Sequence, residues 1–381
     1  MIPLAVPHLV GNEARYLQEC IESTFVSSVG LFVDRFEGMA AEASGAVGAV
    51  ATSAGTTGLH AALLAVGVGR DDLVVLPSLT FVASANAVAH CGADPWLFDV
   101  EPGRWTLDPA LVAAELKTRC ERRDSQLYHR PTNRRVAAVV PVHVVGHPAD
   151  MDALVETARQ YDLPVVADAA AALGSRYKGR RIAEMGADLS VVSFNGNKTV
   201  TAGGGGVVVG NDPAVLKLVR HLTTTARAGE DYLHDRVGYN YRMTNLQAAV
   251  GCAQLEQLET FVAAKRGIRA RYDAAFTGVA GLTPFPQPAD SDSECWFSGF
   301  TVDSPPLPDV AELRARLRAA QVDARPFWMP MHLQPPFAHA PRTAMPVSDG
   351  LWRRILTLPC STGLSAADQD RVIAALREAL A

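Results

Sequence analysis

The chain has 381 residues, of which 48% are hydrophobic and 20% charged, with a formal net charge of -5. This composition is typical of a globular protein with a substantial core, and the negative balance disfavours nucleic acid as a partner. No stretch reaches the roughly 18 uninterrupted apolar residues of a membrane helix, so no membrane association is expected.

Six cysteines are scattered along the chain without a CxxC pair. This spacing indicates neither a zinc site nor a disulfide framework. No basic segment followed by an apolar one opens the sequence, so no export signal is predicted. We therefore expect a cytoplasmic protein without a metal site.

Short apolar runs alternate with helical patterns between about residues 45 and 210, which predicts strands joined by crossover helices. Several runs are apolar throughout, as a parallel sheet covered on both faces requires. The fold class is therefore α/β with a mostly parallel sheet. The predicted strands are Val47–Ala51, Leu73–Leu76, Val136–Val142, Pro164–Ala167, Leu189–Ser193 and Gly206–Val209.

The polar, basic stretch Cys120–Val136 is interpreted as a solvated surface loop. A long helix is predicted from Thr244 to Tyr272, because apolar residues recur there at helical spacing without proline. Thr283–Glu294, rich in proline and acids, is the candidate linker. A strand at Cys295–Val302 follows, with helices beginning near Asp309 and at Ser365, which suits a smaller C-terminal α+β domain.

Lys198 lies just past an apolar strand and just before four consecutive glycines, Gly203–Gly206. A lysine shielded from water can lose its proton and act as a nucleophile, and glycines let backbone approach a ligand closely. A solvated lysine beside a loop is the alternative. The glycine run is no Walker loop, because no GK[ST] follows it.

Three more candidate site features lie at or just after the ends of predicted strands. Asp168 would place a carboxylate at the ligand-binding edge of the sheet, or would cap a following helix. Ser53–Gly58 forms a polar turn before a helix, which suits one phosphate or ordinary capping by Ser53 or Thr56. Phe81 follows the next strand, either against a ligand or in the core. Together with Lys198 they match the needs of a pyridoxal-phosphate enzyme.

The chain resembles the DegT/DnrJ/EryC1/StrS sugar aminotransferases over nearly its whole length, through PSLTFVASANAV, VPVHVVGHPADMDAL, ADAAAALGSRYKGR, SFNGNKTVTAGGGGVVV, VGYNYRMTNLQAAVGCAQLEQL and ARPFWMPMHLQPPF. The likeness implies the aspartate-aminotransferase fold (type I), with residues 1–260 as N-terminal segment and large domain and 261–381 as the smaller domain. FVSSVGLFVDRFE and SFNGNK look most like the subgroup that aminates C4 of UDP-linked 4-keto-6-deoxy-N-acetylhexosamines for legionaminic-acid-type pathways.

The resemblance also implies roles for individual residues. Lys198 would bind pyridoxal 5'-phosphate covalently and later relay the proton, where the family's dehydratases carry histidine. Asp168 would pair with the pyridine nitrogen of the cofactor, and Phe81 would stack on its ring. The phosphate would be bound by Gly55, Thr56 and Ser193, and Asn240 would reach the phosphate of the partner subunit's cofactor. Sugar contacts would come from Phe25, Ser28, His332 and Trp328, with His143 nearby; core packing is the alternative for the last three.

The implied reaction takes nitrogen from an amino-acid donor, L-glutamate by family habit, and gives it to a nucleotide-linked ketosugar, in a homodimer with shared active sites. Three positions depart from the family pattern: Ala167 and Ala171 replace polar residues around Asp168, and Phe25 replaces a tryptophan. An aminotransferase for a free keto-cyclitol such as an inosose, and a non-catalytic regulatory protein that binds the cofactor, are the alternatives. A dinucleotide-binding dehydrogenase is disfavoured, because no GxGxxG follows the first strand.

Overall fold

A computed structural model describes residues 1–381 of the chain. The helices, in chain order, are α1 Glu13–Glu22, α2 Leu31–Ser44, α3 Gly55–Ala65, α4 Val82–His90, α5 Pro109–Arg119, α6 Met151–Gln160, α7 Pro213–Thr223, α8 Asn245–Leu255, α9 Leu258–Ala275, α10 Val310–Ala319, α11 Pro346–Leu351 and α12 Ala366–Leu380.

The strands, in chain order, are β1 Gly48–Thr52, β2 Leu73–Pro77, β3 Asp94–Phe98, β4 Cys120–Arg123, β5 Gln126–His129, β6 Arg134–Val139, β7 Val166–Asp168, β8 Arg176–Tyr177, β9 Leu189–Ser193, β10 Gly206–Gly210, β11 Arg227–Ala228, β12 Leu233–His234, β13 Leu282–Pro284, β14 Ser291–Asp292, β15 Ser298–Val302 and β16 Ile355–Leu358.

The central sheet has the order β3-β2-β6-β7-β9-β10-β1, in which β7 meets β6 through two parallel bridges, Val139 with Val165 and Val142 with Asp168. Only β10 runs opposite to the other strands, since it pairs antiparallel with both β1 and β9. The strands β2 and β10 are buried along their whole length, as their unbroken apolar sequences require. The predicted α/β class with a mostly parallel sheet is confirmed.

The interpretation of Cys120–Val136 as a loop was wrong. Its residues form the antiparallel hairpin β4–β5, which continues the sheet through the first half of β6. Cys120 and Leu127 of the hairpin are buried, while Arg122, near the turn, is exposed and binds Asp162 at 2.7 Å. Charged side chains on an edge hairpin are a usual protection against further strand pairing, which is why the stretch resembled a loop.

The single long helix predicted from Thr244 to Tyr272 is two helices, α8 and α9. The break lies at Gln257, whose backbone leaves the helical region at φ -103° and ψ 1°. Beside it, the carboxylate of Glu256 accepts hydrogen bonds from Tyr16 and Arg35 of the N-terminal helices. Contacts with distant residues at this point could not be inferred from helical spacing.

The predicted linker Thr283–Glu294 is tied to the rest of the protein at both ends. Its start belongs to β13, which pairs with β15, and Ser291–Asp292 pairs with β8 near the central sheet. The C-terminal part adds the antiparallel sheet β13-β15-β16, on which α9 and α10 pack, and α12 packs against these two helices. Ser365 caps α12 by accepting a hydrogen bond from the backbone of Asp368 at 3.0 Å.

One hydrophobic cluster continues from the central sheet into the C-terminal sheet, for example from Val74 and Leu97 to Phe300 and Leu356. The division at residue 260 therefore remains a prediction rather than a visible gap in the core. None of the helices combines the length and apolar character needed to cross a lipid bilayer.

Candidate active site

A cavity of about 520 Å³ opens at the carboxyl ends of β1, β2, β7 and β9. Ligands of open α/β sheets bind at this edge. The structure brings eight of the residues predicted from the sequence into its wall. Trp328 comes from the C-terminal part and His143 follows β6, and the other six are Gly55, Thr56, Phe81, Asp168, Ser193 and Lys198. These six come from four separate strand ends.

The turn after β1 leads directly into α3, with Ala54 extended and Gly55 as the first helical residue. The backbone N–H groups of a first helical turn have no partner within the helix. The hydroxyl of Thr57, and not that of Ser53 or Thr56, accepts the hydrogen bond from the Ala54 N–H at 3.0 Å. Gly55 and Thr56 thus face the cavity at a helix start suited to an anion.

The four glycines after Lys198 pass close behind this turn. Gly203 and Gly205 adopt φ of +75° and +112°, a region that favours glycine. A Cβ on Gly206 would lie 2.6 Å from the nitrogen of Gly55. The glycine run therefore allows β10 to touch the turn that precedes α3.

Asp168 ends β7 and is buried at the bottom of the cavity. No helix begins after it, so its predicted alternative as a helix cap is not what the structure shows. Its carboxylate accepts hydrogen bonds from the Ser84 hydroxyl at 2.6 Å and from the Ala170 N–H at 3.0 Å. Burial raises the pKa of this carboxyl, while the two hydrogen bonds and the Lys198 charge act in the opposite direction.

Lys198 extends from the loop after β9 into the cavity. Burial lowers its pKa to about 8, while Asp168 and Glu294 favour its charged form and Lys265 disfavours it. Its amino group therefore carries a much larger neutral fraction at neutral pH than an ordinary lysine does, and a nucleophile or a base requires the neutral form.

Aromatic side chains form another wall of the cavity. Phe81 is 52% exposed, so it does not serve the core, and its ring centroid lies 5.7 Å from that of Trp328. His143 also lines the cavity, where its Nδ1 accepts a hydrogen bond from Ala149 and its buried Nε2 has no protein partner. Burial lowers the pKa of His143 to about 4, which keeps the ring neutral.

Four predicted residues lie outside the cavity wall of the same chain. Phe25 and Ser28 belong to the segment before α2, and Asn240 is exposed. His332 is buried between the Ser78 hydroxyl at 2.7 Å and the Asp349 carboxylate at 2.9 Å. Its two ring nitrogens are thus occupied by the protein itself.

Two of the departures from the family pattern fall at or near the site. Ala171 lines the cavity, so the wall there is apolar where a polar side chain was expected from the resemblance. Ala167 is buried within β7 and does not contribute to the wall.

Sequence reasoning missed several residues that shape the site. Trp296 and Arg325 line the cavity from the C-terminal part, and Asn197 from the Lys198 loop. Asn245, at the start of α8, holds the N-terminal segment through the carbonyl of Phe25 at 2.7 Å and the backbone N–H of Phe32 at 3.1 Å. Trp296 stands in a stretch that we used only for strand prediction, and Asn245 in one that we used for helix prediction and for the family resemblance.

The residues present fit pyridoxal phosphate. The helix start at Gly55 offers unpaired N–H groups for a phosphate, and the close packing at Gly206 leaves no room for a side chain there. Asp168 is a buried carboxylate for a protonated ring nitrogen, and Lys198 is a lysine of lowered pKa for the aldehyde. The cavity volume is also in the range of small-molecule sites.

Comparison with known proteins supports this interpretation. Residues 7–377 match the sequence model of the DegT/DnrJ/EryC1/StrS aminotransferase family. The chain is 36% identical to the GDP-perosamine synthase of Caulobacter vibrioides, covering 100% of this chain and 98% of that one. It is 30% identical to the crystal structure of the aminotransferase TlmJ from Streptoalloteichus hindustanus, with a TM-score of 0.88 and coverage of 100% and 99%. The chain therefore belongs to the DegT/DnrJ/EryC1/StrS aminotransferase family, and its cofactor is pyridoxal phosphate.

Proposed function

We propose that this aminotransferase transfers an amino group from L-glutamate to the C4 keto carbon of a nucleotide-linked 4-keto-6-deoxy sugar. The observation that carries the proposal is the meeting of Lys198, Asp168 and the Gly55 helix start in one cavity. These are a proton-carrying amine, a buried carboxylate and an anion site, which transamination through pyridoxal phosphate requires together.

Bound pyridoxal phosphate supplies an electrophilic carbon and a ring that withdraws electrons. The chain's own groups do the rest. Gly55, Thr56 and Ser193 would bind the phosphate, and the carboxylate of Asp168 would keep a proton on the ring nitrogen. The Nζ atom of Lys198 would hold the cofactor covalently and, once released, would carry a proton between the substrate carbon and the C4' carbon of the cofactor.

Arg325 gives the cavity a second cation besides Lys198, and both proposed substrates are anionic. Its guanidinium lies 3.1 Å from the Asp323 carboxylate and is largely exposed. The exposed part of the guanidinium can contact a carboxylate or a diphosphate at the cavity mouth while the ion pair with Asp323 is kept.

The names of relatives guide the choice of nucleotide. Enzymes from Caulobacter vibrioides, Escherichia coli O157:H7 and Vibrio cholerae, at 36%, 35% and 36% identity, are each named GDP-perosamine synthase. A GDP-linked sugar is therefore the first substrate to test. The UDP-linked N-acetylhexosamine indicated by the resemblance in the N-terminal segment is the second.

The active form is proposed to be a cytoplasmic homodimer with shared sites. Asn240 is exposed and lies outside its own chain's cavity, as a residue that reaches the partner's cofactor would. Large apolar side chains are also exposed in two segments, Phe25 to Leu31 and Tyr232 to Val237, and the second segment lies just before Asn240. Leu31 is 87% exposed, which is unusual for leucine unless a partner covers it.

The experiment is a screen of the purified protein loaded with pyridoxal phosphate and converted to its pyridoxamine form with L-glutamate. GDP-, UDP- and dTDP-linked 4-keto-6-deoxy sugars and a free inosose are then added, and the return of visible absorbance is measured. Return with a nucleotide sugar supports the proposal. Return with inosose alone favours the keto-cyclitol enzyme, and failure of every donor and acceptor favours a regulatory protein.

A further inference from the structure

Trp296 is held in place by hydrogen bonds at its indole ring and at its backbone carbonyl. It lies just before β15 and is 3% exposed. Its indole N–H donates a hydrogen bond to the carbonyl oxygen of Asn197 at 2.8 Å. Its own carbonyl oxygen accepts a hydrogen bond at 2.8 Å from Lys265, a buried lysine of α9. The indole plane therefore cannot move without breaking buried hydrogen bonds.

The face of this indole lies under the amino group of Lys198. The Nζ atom is 3.6 Å from the ring centroid. A cation within about 6 Å of an indole face is attracted to its negative quadrupole, and burial strengthens the attraction. Since Asn197 directly precedes Lys198, one side chain fixes both the backbone and the amino group of the lysine.

We propose that Trp296 is a positioning residue for Lys198, which holds the released amino group over its indole face and stabilises the ammonium form. The inference rests on the proposed role of Lys198 as the proton carrier. An aromatic face suits this task, because it attracts the cation without forming an ion pair that would have to break in each cycle.

Charged side chains near Lys198 also affect how readily its amino group is protonated. Asp168 of β7 and Glu294, two residues before Trp296, favour its charged form, and Lys265 disfavours it. Glu294 is itself buried, and its pKa is raised to about 8, so it is largely protonated at neutral pH and contributes little charge there. Trp296 thus favours the ammonium form at a pH where Glu294 does not.

The test varies the quadrupole of the indole while its shape stays nearly constant. Tryptophans with one to four ring fluorines are incorporated at position 296. Fluorine weakens the negative electrostatic potential of the indole face, while the indole N–H can still donate its hydrogen bond to the carbonyl oxygen of Asn197. The chain is loaded with pyridoxamine phosphate, which leaves Lys198 unattached. Its acetylation by acetic anhydride is followed by mass spectrometry against pH, because only the neutral amine reacts.

We expect the pH midpoint of Lys198 acetylation to fall with each fluorine, by about 0.5 to 1.5 pH units in total. Trp296→Phe, with a weaker quadrupole, is expected to lower the midpoint as well. In the reaction of the pyridoxamine form with 2-oxoglutarate, the pH profile should move in the same direction, with kcat changed more than KM.

The matched control is Trp105, which is also buried but packs on Phe285 away from the cavity. The same fluorinated residues there should leave the Lys198 midpoint unchanged. A midpoint that does not depend on fluorination at position 296 overturns the inference. Failure of L-glutamate to produce the pyridoxamine form would instead count against the proposed function, since the acetylation measurement does not depend on turnover.

Discussion

Replacing Gly206 with alanine should weaken cofactor binding by moving the turn at Gly55. The new Cβ would lie 2.6 Å from the Gly55 nitrogen and 2.7 Å from the Ala54 carbonyl carbon, where ordinary contacts begin at 3.4 Å. Both atoms are backbone, so the turn itself must retreat by about 0.8 Å. A backbone hydrogen bond to phosphate of ordinary length would stretch to roughly 3.7 Å and be lost.

The size of the effect follows from that lost bond. A hydrogen bond to a charged group contributes about 1.5–3 kcal/mol, and each 1.4 kcal/mol corresponds to a tenfold change in affinity. Gly206→Ala should therefore bind pyridoxal phosphate about 10- to 100-fold more weakly. The assay is a titration of the cofactor-free protein, followed by the visible absorbance that develops when Lys198 binds the cofactor.

Gly204→Ala is the matched control in the same glycine run. Its Cβ would meet only the flexible end of Gln247, at 3.3 Å, and its φ is outside the left-handed region. This variant should bind the cofactor nearly as wild type does. Equal affinity of Gly206→Ala and Gly204→Ala would refute the reasoning, because the turn at Gly55 would then not hold the phosphate.

Three further predictions concern other groups of the site. Glu294→Gln should raise Tm more at pH 8 than at pH 5. Burial raises the pKa of Glu294 from 4.5 to about 8, so the wild type loses stability as the pH rises between these two values. Glutamine does not ionise, so the variant does not lose this stability. An equal gain at both pH values in thermal melts would contradict this. Mixing inactive Lys198→Ala with inactive Asn240→Ala should restore up to about a quarter of wild-type activity. Half of the dimers become hybrids, and in each hybrid one of the two sites combines an intact Lys198 with an intact Asn240. No recovery after subunit exchange would argue against shared sites. Asp168→Asn should keep the cofactor but slow its single-turnover reaction with L-glutamate, on the order of 10²–10³-fold, and a rate like wild type would remove Asp168 from the mechanism.

Residues at strand ends were the part of the site that the sequence could predict. Asp168 and Ser193 end apolar runs, and parallel strands bring such ends to one edge of a sheet. Phe81 and Lys198 follow strands within a few residues, so the same argument placed them. The sheet itself was predictable because its strands are buried on both faces and therefore continuously apolar.

The missed features depend on contacts between distant parts of the chain. Trp296 contacts the loop of Lys198 although it lies 99 positions after Asn197 in the chain, and no local pattern marks it. Asn245 likewise fixes a segment more than 200 residues earlier, at Phe25. The hairpin β4–β5 was missed for another reason, since most of its residues are polar or charged and only Cys120, Leu127 and His129 are buried.

The central claim is that Lys198 carries nitrogen transfer through pyridoxal phosphate to a nucleotide sugar. The most direct measurement is the visible spectrum of the loaded protein, recorded before L-glutamate, after it, and after a GDP-linked 4-keto-6-deoxy sugar. We expect a band that bleaches with L-glutamate and returns with the sugar, and that is absent in Lys198→Ala. A wild-type protein that develops no band with pyridoxal phosphate, or a band that no amino donor bleaches, would contradict it.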